Sequence, residues 1–241
     1  MSEGVSGILV EGLEQLGLDP RDEQILAAFE SYRQELLDWN SRINLTAITD
    51  PQDVLLKHFL DSLSLLKVYT NPEARLLDIG SGAGFPGLPL KIVRPKWHVT
   101  LLEATGKKTL FLRHMVEALQ LRDVEIIHGR AEELAHKREY RAMFDIVTAR
   151  AVSALPTLLE YCAPYCQVGG VIVLPKKGDL TEELQQAKYA AVHVGTKLKA
   201  DIAVDLPGLA DGRRLLVWEQ QKPCPPRYPR SGSAIAKKPL A

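Results

Sequence analysis

The chain has 241 residues, 46% hydrophobic and 25% charged, with thirty basic side chains matched by thirty acids; that excludes a disordered chain and allows a substantial buried core. Its N-terminal apolar run, Ile8-Leu9-Val10, is too short and too closely flanked by acids for a signal peptide or membrane span. Its three cysteines (Cys162, Cys166 and Cys224) form neither a CxxC pair nor a disulfide framework, so a cytoplasmic protein without a metal is expected. The neutral total hides a gradient: residues 1–30 hold seven acids and one arginine, whereas residues 222–241 hold five basic residues and no acid. Salt screens charges beyond about 8–10 Å, so a polyanion responds to the local patch and neutrality does not exclude RNA.

Residues 1–72 read as a helical N-terminal extension. Asp19-Pro20 followed by Asp22 has the pattern of an N-cap, a proline at the first helical position and an acid in the first turn. Ile25, Leu26, Phe29, Leu36 and Trp39 then recur at helical spacing. Asp50-Pro51 with Asp53 repeats the device and opens a stripe of Leu55, Leu56, Phe59, Leu60, Leu63 and Leu66. His58, Asp61 and Ser62 lie off that stripe, either as a polar face over a pocket or as a local network on a surface helix.

From Arg75 the pattern changes to strands alternating with helices. Apolar runs fall at residues 76–79, 99–102, 124–127, 144–148 and 171–174, and the clearest helix between them covers residues 107–121. Such alternation predicts an α/β core over residues 73–221, with a parallel sheet covered on both faces. Runs at residues 192–198 and 214–218 leave no room for a helix between them, so a hairpin adding one antiparallel strand is expected at the end. Cys162 and Cys166, four apart, read as core packing on one helical face. The tail, residues 222–241, is basic, carries five of the fifteen prolines, and is expected to be extended and loosely held.

The segment Leu-Leu-Asp78-Ile-Gly80-Ser-Gly82-Ala-Gly84-Phe85-Pro-Gly87 carries the most chemistry. An apolar strand ends at the acid, and four glycines within eight residues allow a sharp turn and bring bare backbone N–H groups against a ligand. Gly82-x-Gly84-x-x-Gly87 fits a dinucleotide fingerprint, and Asp78-x-Gly80-x-Gly82-x-Gly84 fits the loop of S-adenosylmethionine (AdoMet) enzymes. Glu103 closes the second run, where a carboxylate accepts both hydrogen bonds of a ribose diol. Arg130-Ala131-Glu132 follows the third run, and its backbone and Glu132 can address an adenine amino group. Arg150 follows the fourth run as a cation suited to a phosphate, a carboxylate or a base edge. That loop has no Asn/Asp-Pro-Pro-aromatic clamp for an exocyclic amine and no cysteine for a pyrimidine adduct. Lys107, Lys108, Arg113, Lys176 and Lys177 follow strands on the crevice side, where RNA phosphates are a plausible partner and a solvated face is the ordinary alternative.

In order along the chain, Asn44-Leu45-Thr46, His58-x-x-Asp61-Ser62, the glycine segment, Glu103 with Lys107-Lys108, Arg130-Ala131-Glu132 and Arg150-Ala151 make the chain resemble one family over nearly its whole length. It is that of the bacterial small-subunit ribosomal RNA guanine-N7 methyltransferases, once called glucose-inhibited division protein B. The tail Arg227-Tyr228-Pro229-Arg230-x-Gly232 is similar to the ending of part of that family. The resemblance implies a class I AdoMet-dependent methyltransferase (Rossmann-like) fold, with a mostly parallel seven-stranded sheet, a closing antiparallel strand and a helical extension. It implies a cytoplasmic enzyme that methylates N7 of guanine 527 in 16S rRNA, free or in the small subunit, using AdoMet and no metal; a monomer is expected, which the sequence itself does not determine. Carried over by position, cofactor contacts fall on Gly80, Gly82, Gly84, Phe85, Glu103, Ala104, Thr105, Ala131, Glu132 and Arg150, and Arg150 is also a candidate for placing the substrate. An NAD(P)-dependent oxidoreductase shares the glycines and Glu103 but lacks a Tyr-x-x-x-Lys pair here. A non-catalytic nucleotide-binding regulator is the third reading.

Overall fold

The computed structural model describes residues 3–241, with side chains from residue 7 onward; Met1 and Ser2, part of the segment on which the N-terminal reading rests, lie outside the described residues. Its strands are β1 (Arg75–Ile79), β2 (His98–Glu103), β3 (Val124–His128), β4 (Phe144–Ala149), β5 (Cys166–Lys177), β6 (Thr196–Ala203) and β7 (Arg213–Gln220). They form one sheet in the order β3-β2-β1-β4-β5-β7-β6. All neighbours from β3 to β5 pair in parallel, and β7 runs antiparallel between β5 and β6. The expected closing hairpin is present.

Order reverses at β1, which has β2 on one side and β4 on the other, and ligands of wound sheets bind at such a switch point. Register sharpens this: Ile79 pairs with Leu102 and with Ala149, and Glu103 pairs with His128. Gly80, Ala104, Gly129 and Arg150, each just beyond its strand, are thereby set along one rim.

The extension consists of α1 (Glu3–Gln15), α2 (Glu23–Asn40) and a third helical segment, α3, over residues 51–67. Asp50 caps α3 as expected, accepting from the N–H groups of Gln52 and Asp53, with Pro51 first in the helix. In α2 the cap is Asp22, whose side chain accepts from Gln24 and Ile25 N–H. Asp19 instead turns back on Arg21 N–H, so the proline lies in the approach to the helix rather than at its first position. Within α3 the residues from Leu55 to Leu60 make a π-helical turn, which offsets His58 and Asp61 from a regular helix stripe.

Phe29, Tyr32, Leu36, Phe59 and Phe85 are buried together, joining the extension to the sheet face that also carries the helix α5 (Gly106–Ala118). Tyr32 stacks on Phe85 at 5.3 Å, and its hydroxyl donates to Ala83 O, so α2 rests on the glycine loop itself. Each such aromatic contributes roughly 1.5–3 kcal/mol by burial. The short helix α4 (Gly87–Val93) leaves that loop, while α6 (Ala131–Leu134), α7 (Leu155–Cys162) and α8 (Thr181–Val194) cover the other face.

Three local expectations are corrected. The sixth of the apolar runs, residues 192–198, is not one strand: α8 continues to Val194, Gly195 ends it at φ +80°, and β6 starts at Thr196. Cys162 ends α7 and Cys166 begins β5; both are buried, but they share no helix. The tail is not loose. Tyr228, Ile235 and Leu240 are buried, residues Gly232–Lys237 form a helix, α9, and Arg141 donates to the carbonyls of Cys224, Pro225 and Tyr228 at 2.9 Å each. Arg230 forks onto Glu160, a carboxylate with no exposure in α7 (2.8 and 2.7 Å). A proline-rich composition disfavours helix and strand, but it does not prevent docking when a buried acid waits for the arginine.

Candidate active site

Two cavities open at the rim. The first, about 150 Å³, is bordered by Gly80, Leu102, Ala104, Ala131, Glu132 and Val152. The glycine loop shapes it in an unexpected way. The N–H groups of Gly80 and Ser81 donate to Leu102 O, those of Gly84 and Phe85 to Ser81 O, that of Gly82 to Glu103 Oε2, and that of Gly87 to Asp78 Oδ2. Six of the loop's N–H groups are therefore engaged within the protein, those of all four glycines among them, and what the glycines provide is room. At Gly82 (φ +61°) an added Cβ would meet nothing nearer than Gly80 O at 3.9 Å, and at Gly80 (φ +70°) it would meet only Val152, 2.7 Å away. Gly84 differs. Its Cβ direction points inward, 2.5 Å from the Tyr32 hydroxyl, so this glycine permits the extension to dock.

Glu103, buried, accepts from Gly82 N–H and Thr105 N–H, each at 2.8 Å, and so ties the loops after β1 and β2 together with a negative charge between them. Tyr165 holds the Ala131 carbonyl at 2.6 Å. Asp78 lies under the glycine loop with no exposure; burial pushes its carboxyl up to about 7 against the Gly87 N–H and the Arg150 charge. Its Oδ1 has no partner among the described residues.

The second cavity, about 390 Å³, is lined by five cations (Lys57, Arg150, Lys176, Lys177 and Arg213) and one acid, Asp61. Arg150 donates through Nη1 to Lys57 O (3.0 Å) and Asp61 Oδ2 (2.7 Å), and through Nη2 to His58 Nδ1 (3.1 Å). Arginine cannot accept, so His58 Nδ1 is the bare nitrogen, and its Nε2–H donates to Thr46 Oγ1 at 2.8 Å. The imidazole stacks on Phe85 at 4.3 Å, and the Arg150 guanidinium lies 5.4 Å above the same ring. Burial, with the Arg150 and Arg213 charges, pushes His58 down to about 3, which keeps it neutral. Asp61 also meets Arg213 Nη1 at 3.0 Å, and Ser62 donates back to His58 O. Between the two cavities runs the loop after β4, where Ala151 adopts φ +57°, a strained conformation for a residue with a side chain.

The three motifs of the extension and of the β4 loop thus form one network, and the polar-face reading of His58 and Asp61 is the one observed; Ser62 serves the helix backbone. Of the expected cofactor contacts, Gly80, Ala104, Ala131 and Glu132 border the first cavity, with Gly82, Glu103 and Thr105 bonded around its mouth. Arg150 lies instead in the wall of the second, and Phe85 is buried behind that wall against His58. Three residues were missed: Tyr32, Arg213 and Lys57, which lines the second cavity. Tyr32 sits three after Phe29 and four before Leu36, a spacing that marks it as core; Arg213 has no local signal, because Asp61 is far away in sequence.

This arrangement can be compared with known proteins. The model of the GidB family, rRNA small subunit methyltransferase G, matches residues 25–204. The chain belongs to this family. A GidB-family relative from Dehalococcoides mccartyi (strain CBDB1), a ribosomal RNA small subunit methyltransferase G, is 50% identical over 232 residues, 96% of this chain and 98% of the relative. One of the same name from Lachnoclostridium phytofermentans is 44% identical, covering 96% of each chain. Among solved structures, a ribosomal protein L11 methylase from Lactobacillus delbrueckii subsp. bulgaricus aligns with TM-score 0.52 at 12% identity, over 73% of this chain and 81% of that one. TrmN from Thermus thermophilus aligns at 0.51 and 19% identity, over 67% and 48%. At such identities these two establish the fold alone, and it is the methyltransferase fold that the resemblance implied.

Proposed function

We propose that this rRNA methyltransferase transfers a methyl group from AdoMet to N7 of guanine 527 in 16S rRNA, acting as a cytoplasmic monomer. The small first cavity is the adenosine site, the second the acceptor site. Residues 73–221 form the catalytic core, and residues 1–72 complete the acceptor wall. No helix of the described residues is long and apolar enough to cross a membrane.

The residues suit the donor. Gly82 leaves space where any side chain would intrude, Glu103 is held by two N–H groups with lone pairs left for a ribose diol, and the bare Asp78 Oδ1 suits a cationic or donating group. Bound there, AdoMet supplies an electrophilic methyl on a sulfonium sulfur.

One observation carries the choice of acceptor: among the described residues, the second cavity holds no free base. Asp61 is engaged by two arginines, and both nitrogens of His58 are engaged, one by Arg150 and one by Thr46. An exocyclic amine or a hydroxyl has a proton to lose on methylation, whereas guanine N7 presents an in-plane lone pair and loses none. The chain's task is alignment, which can supply roughly 7–11 kcal/mol. Arg150, fixed by three hydrogen bonds, keeps two of its five N–H groups without a protein acceptor, available to a base edge or phosphate. Lys57, Lys176, Lys177 and Arg213 favour the RNA backbone. In a folded hairpin the guanine must be at least partly unstacked to enter.

The test is to incubate the protein with tritiated AdoMet and small ribosomal subunits or 16S rRNA from cells lacking this activity, then map 7-methylguanine by borohydride–aniline cleavage. A single new stop at guanine 527 is expected. Label at another atom or nucleotide would overturn the assignment, and AdoMet binding without transfer would favour the regulator.

A further inference from the structure

The tail grips the short helix that borders the adenosine cavity. Helix α6 is held on its sheet side by Tyr165, which donates to Ala131 O. Just past its C-terminal end, His136 Nε2 donates to Pro229 O at 2.9 Å. Gly232 then lies so close to the Glu132 carboxylate that a methyl group at that glycine would overlap it. Glu132 and Tyr161 border both the adenosine cavity and a larger crevice, about 750 Å³, between α6 and residues 231–236. Next to Tyr161, Glu160 anchors the whole strap through Arg230, whose backbone N–H adds a third bond at 2.9 Å. Two of the tail's five charges are occupied: Arg230 serves Glu160, and Arg227 lies over the Tyr228 ring.

We infer that residues 228–232 are a positioning strap for the donor site: with no side chain at Gly232, the Glu132 carboxylate is held where it meets the adenine amino group. This rests on the reading of the first cavity as the adenosine site and of Glu132 as its adenine contact. Gly232 is a positioning residue, acting only through Glu132. Its substitution by alanine obstructs just the tip of a flexible side chain, so the fold survives and the carboxylate moves.

The test is a double-mutant cycle on AdoMet binding by calorimetry, with Gly232→Ala, Glu132→Ala and the pair, each in the full chain. Each single variant is expected to weaken binding about fivefold, the worth of one hydrogen bond. The double variant, in which the methyl has room, should bind no more weakly than Glu132→Ala alone. In turnover, Gly232→Ala should raise KM for AdoMet and leave KM for rRNA in place. Wild-type affinity in Gly232→Ala beside weakened Glu132→Ala would overturn the strap alone, as would additive losses. Wild-type affinity in Glu132→Ala would overturn both the strap and the adenine contact.

Discussion

On the donor side of the rim, the glycine-loop N–H groups, Glu103 and Asp78 lie within residues 78–105 and are held mostly by one another, with Glu132 added from the loop after β3. On the acceptor side, Thr46, His58, Asp61, Arg150 and Arg213 come from four segments, and each holds another in place. The first arrangement is closed within one turn of chain, so a substitution there can remove ligand binding without touching the fold. The second also fastens the helical extension to the core. Acceptor-side changes therefore reach stability and activity together.

The glycines give the largest effect. Gly82→Val is expected to fold, with about 1–2 kcal/mol lost to its left-handed backbone, and to show no AdoMet binding by calorimetry. Gly84→Val, two residues away, should instead cost stability, because its side chain meets Tyr32 and Leu88. If Gly82→Val still bound AdoMet, or Gly84→Val unfolded at the wild-type denaturant concentration, the division between room and docking would be wrong. Next in size is Asp61→Asn. With its carboxylate removed, Arg150 has no carboxylate partner and Arg213 keeps only Asp211, at a cost of about 3 kcal/mol in urea unfolding, as for other broken buried pairs. An unchanged midpoint would mean the network does not fasten the extension.

The pH dependence is smaller and has two opposed parts. His58, at about 3 in the fold against about 6.5 unfolded, binds fewer protons when folded, so its share of stability is full above that unfolded value and is lost as pH falls toward 3. Asp78, raised to about 7 in the fold, acts the other way: its share is present below its unfolded value near 3.9 and is lost as pH rises through 7. His58→Gln should therefore lose less stability than the wild type between pH 7 and pH 5, and Asp78→Asn should lose more. Identical losses in all three proteins would remove both assignments. Smallest of all, Lys176→Ala and Lys177→Ala should each lower the salt slope of rRNA binding by less than the roughly one unit of a free cation, since both are already paired, with Glu183 and Asp211. An unchanged slope would place the phosphates elsewhere.

The same contrast explains what the sequence disclosed. Asp78, the glycines and Glu103 are legible because strand, turn and acid are neighbours, and apolar runs separated by helices specify a wound sheet. The boundary at Val194–Thr196 was lost because an apolar helix end and a strand start look alike until Gly195 is seen to take a left-handed conformation. Arg213 and the docking of Arg230 on Glu160 were invisible for a different reason. They depend on pairs 152 and 70 residues apart, which no local periodicity encodes. His58 could be noticed as polar and off the stripe, but not as neutral, since its neutrality comes from two distant arginines.

The claim on which all this depends, that the acceptor is a ring nitrogen with its own lone pair, is tested most directly by replacing that atom. Small-subunit RNA carrying 7-deazaguanosine at position 527, a C–H in place of N7, should accept no methyl from tritiated AdoMet while the unaltered RNA is labelled. Undiminished labelling of the deaza RNA would contradict the account.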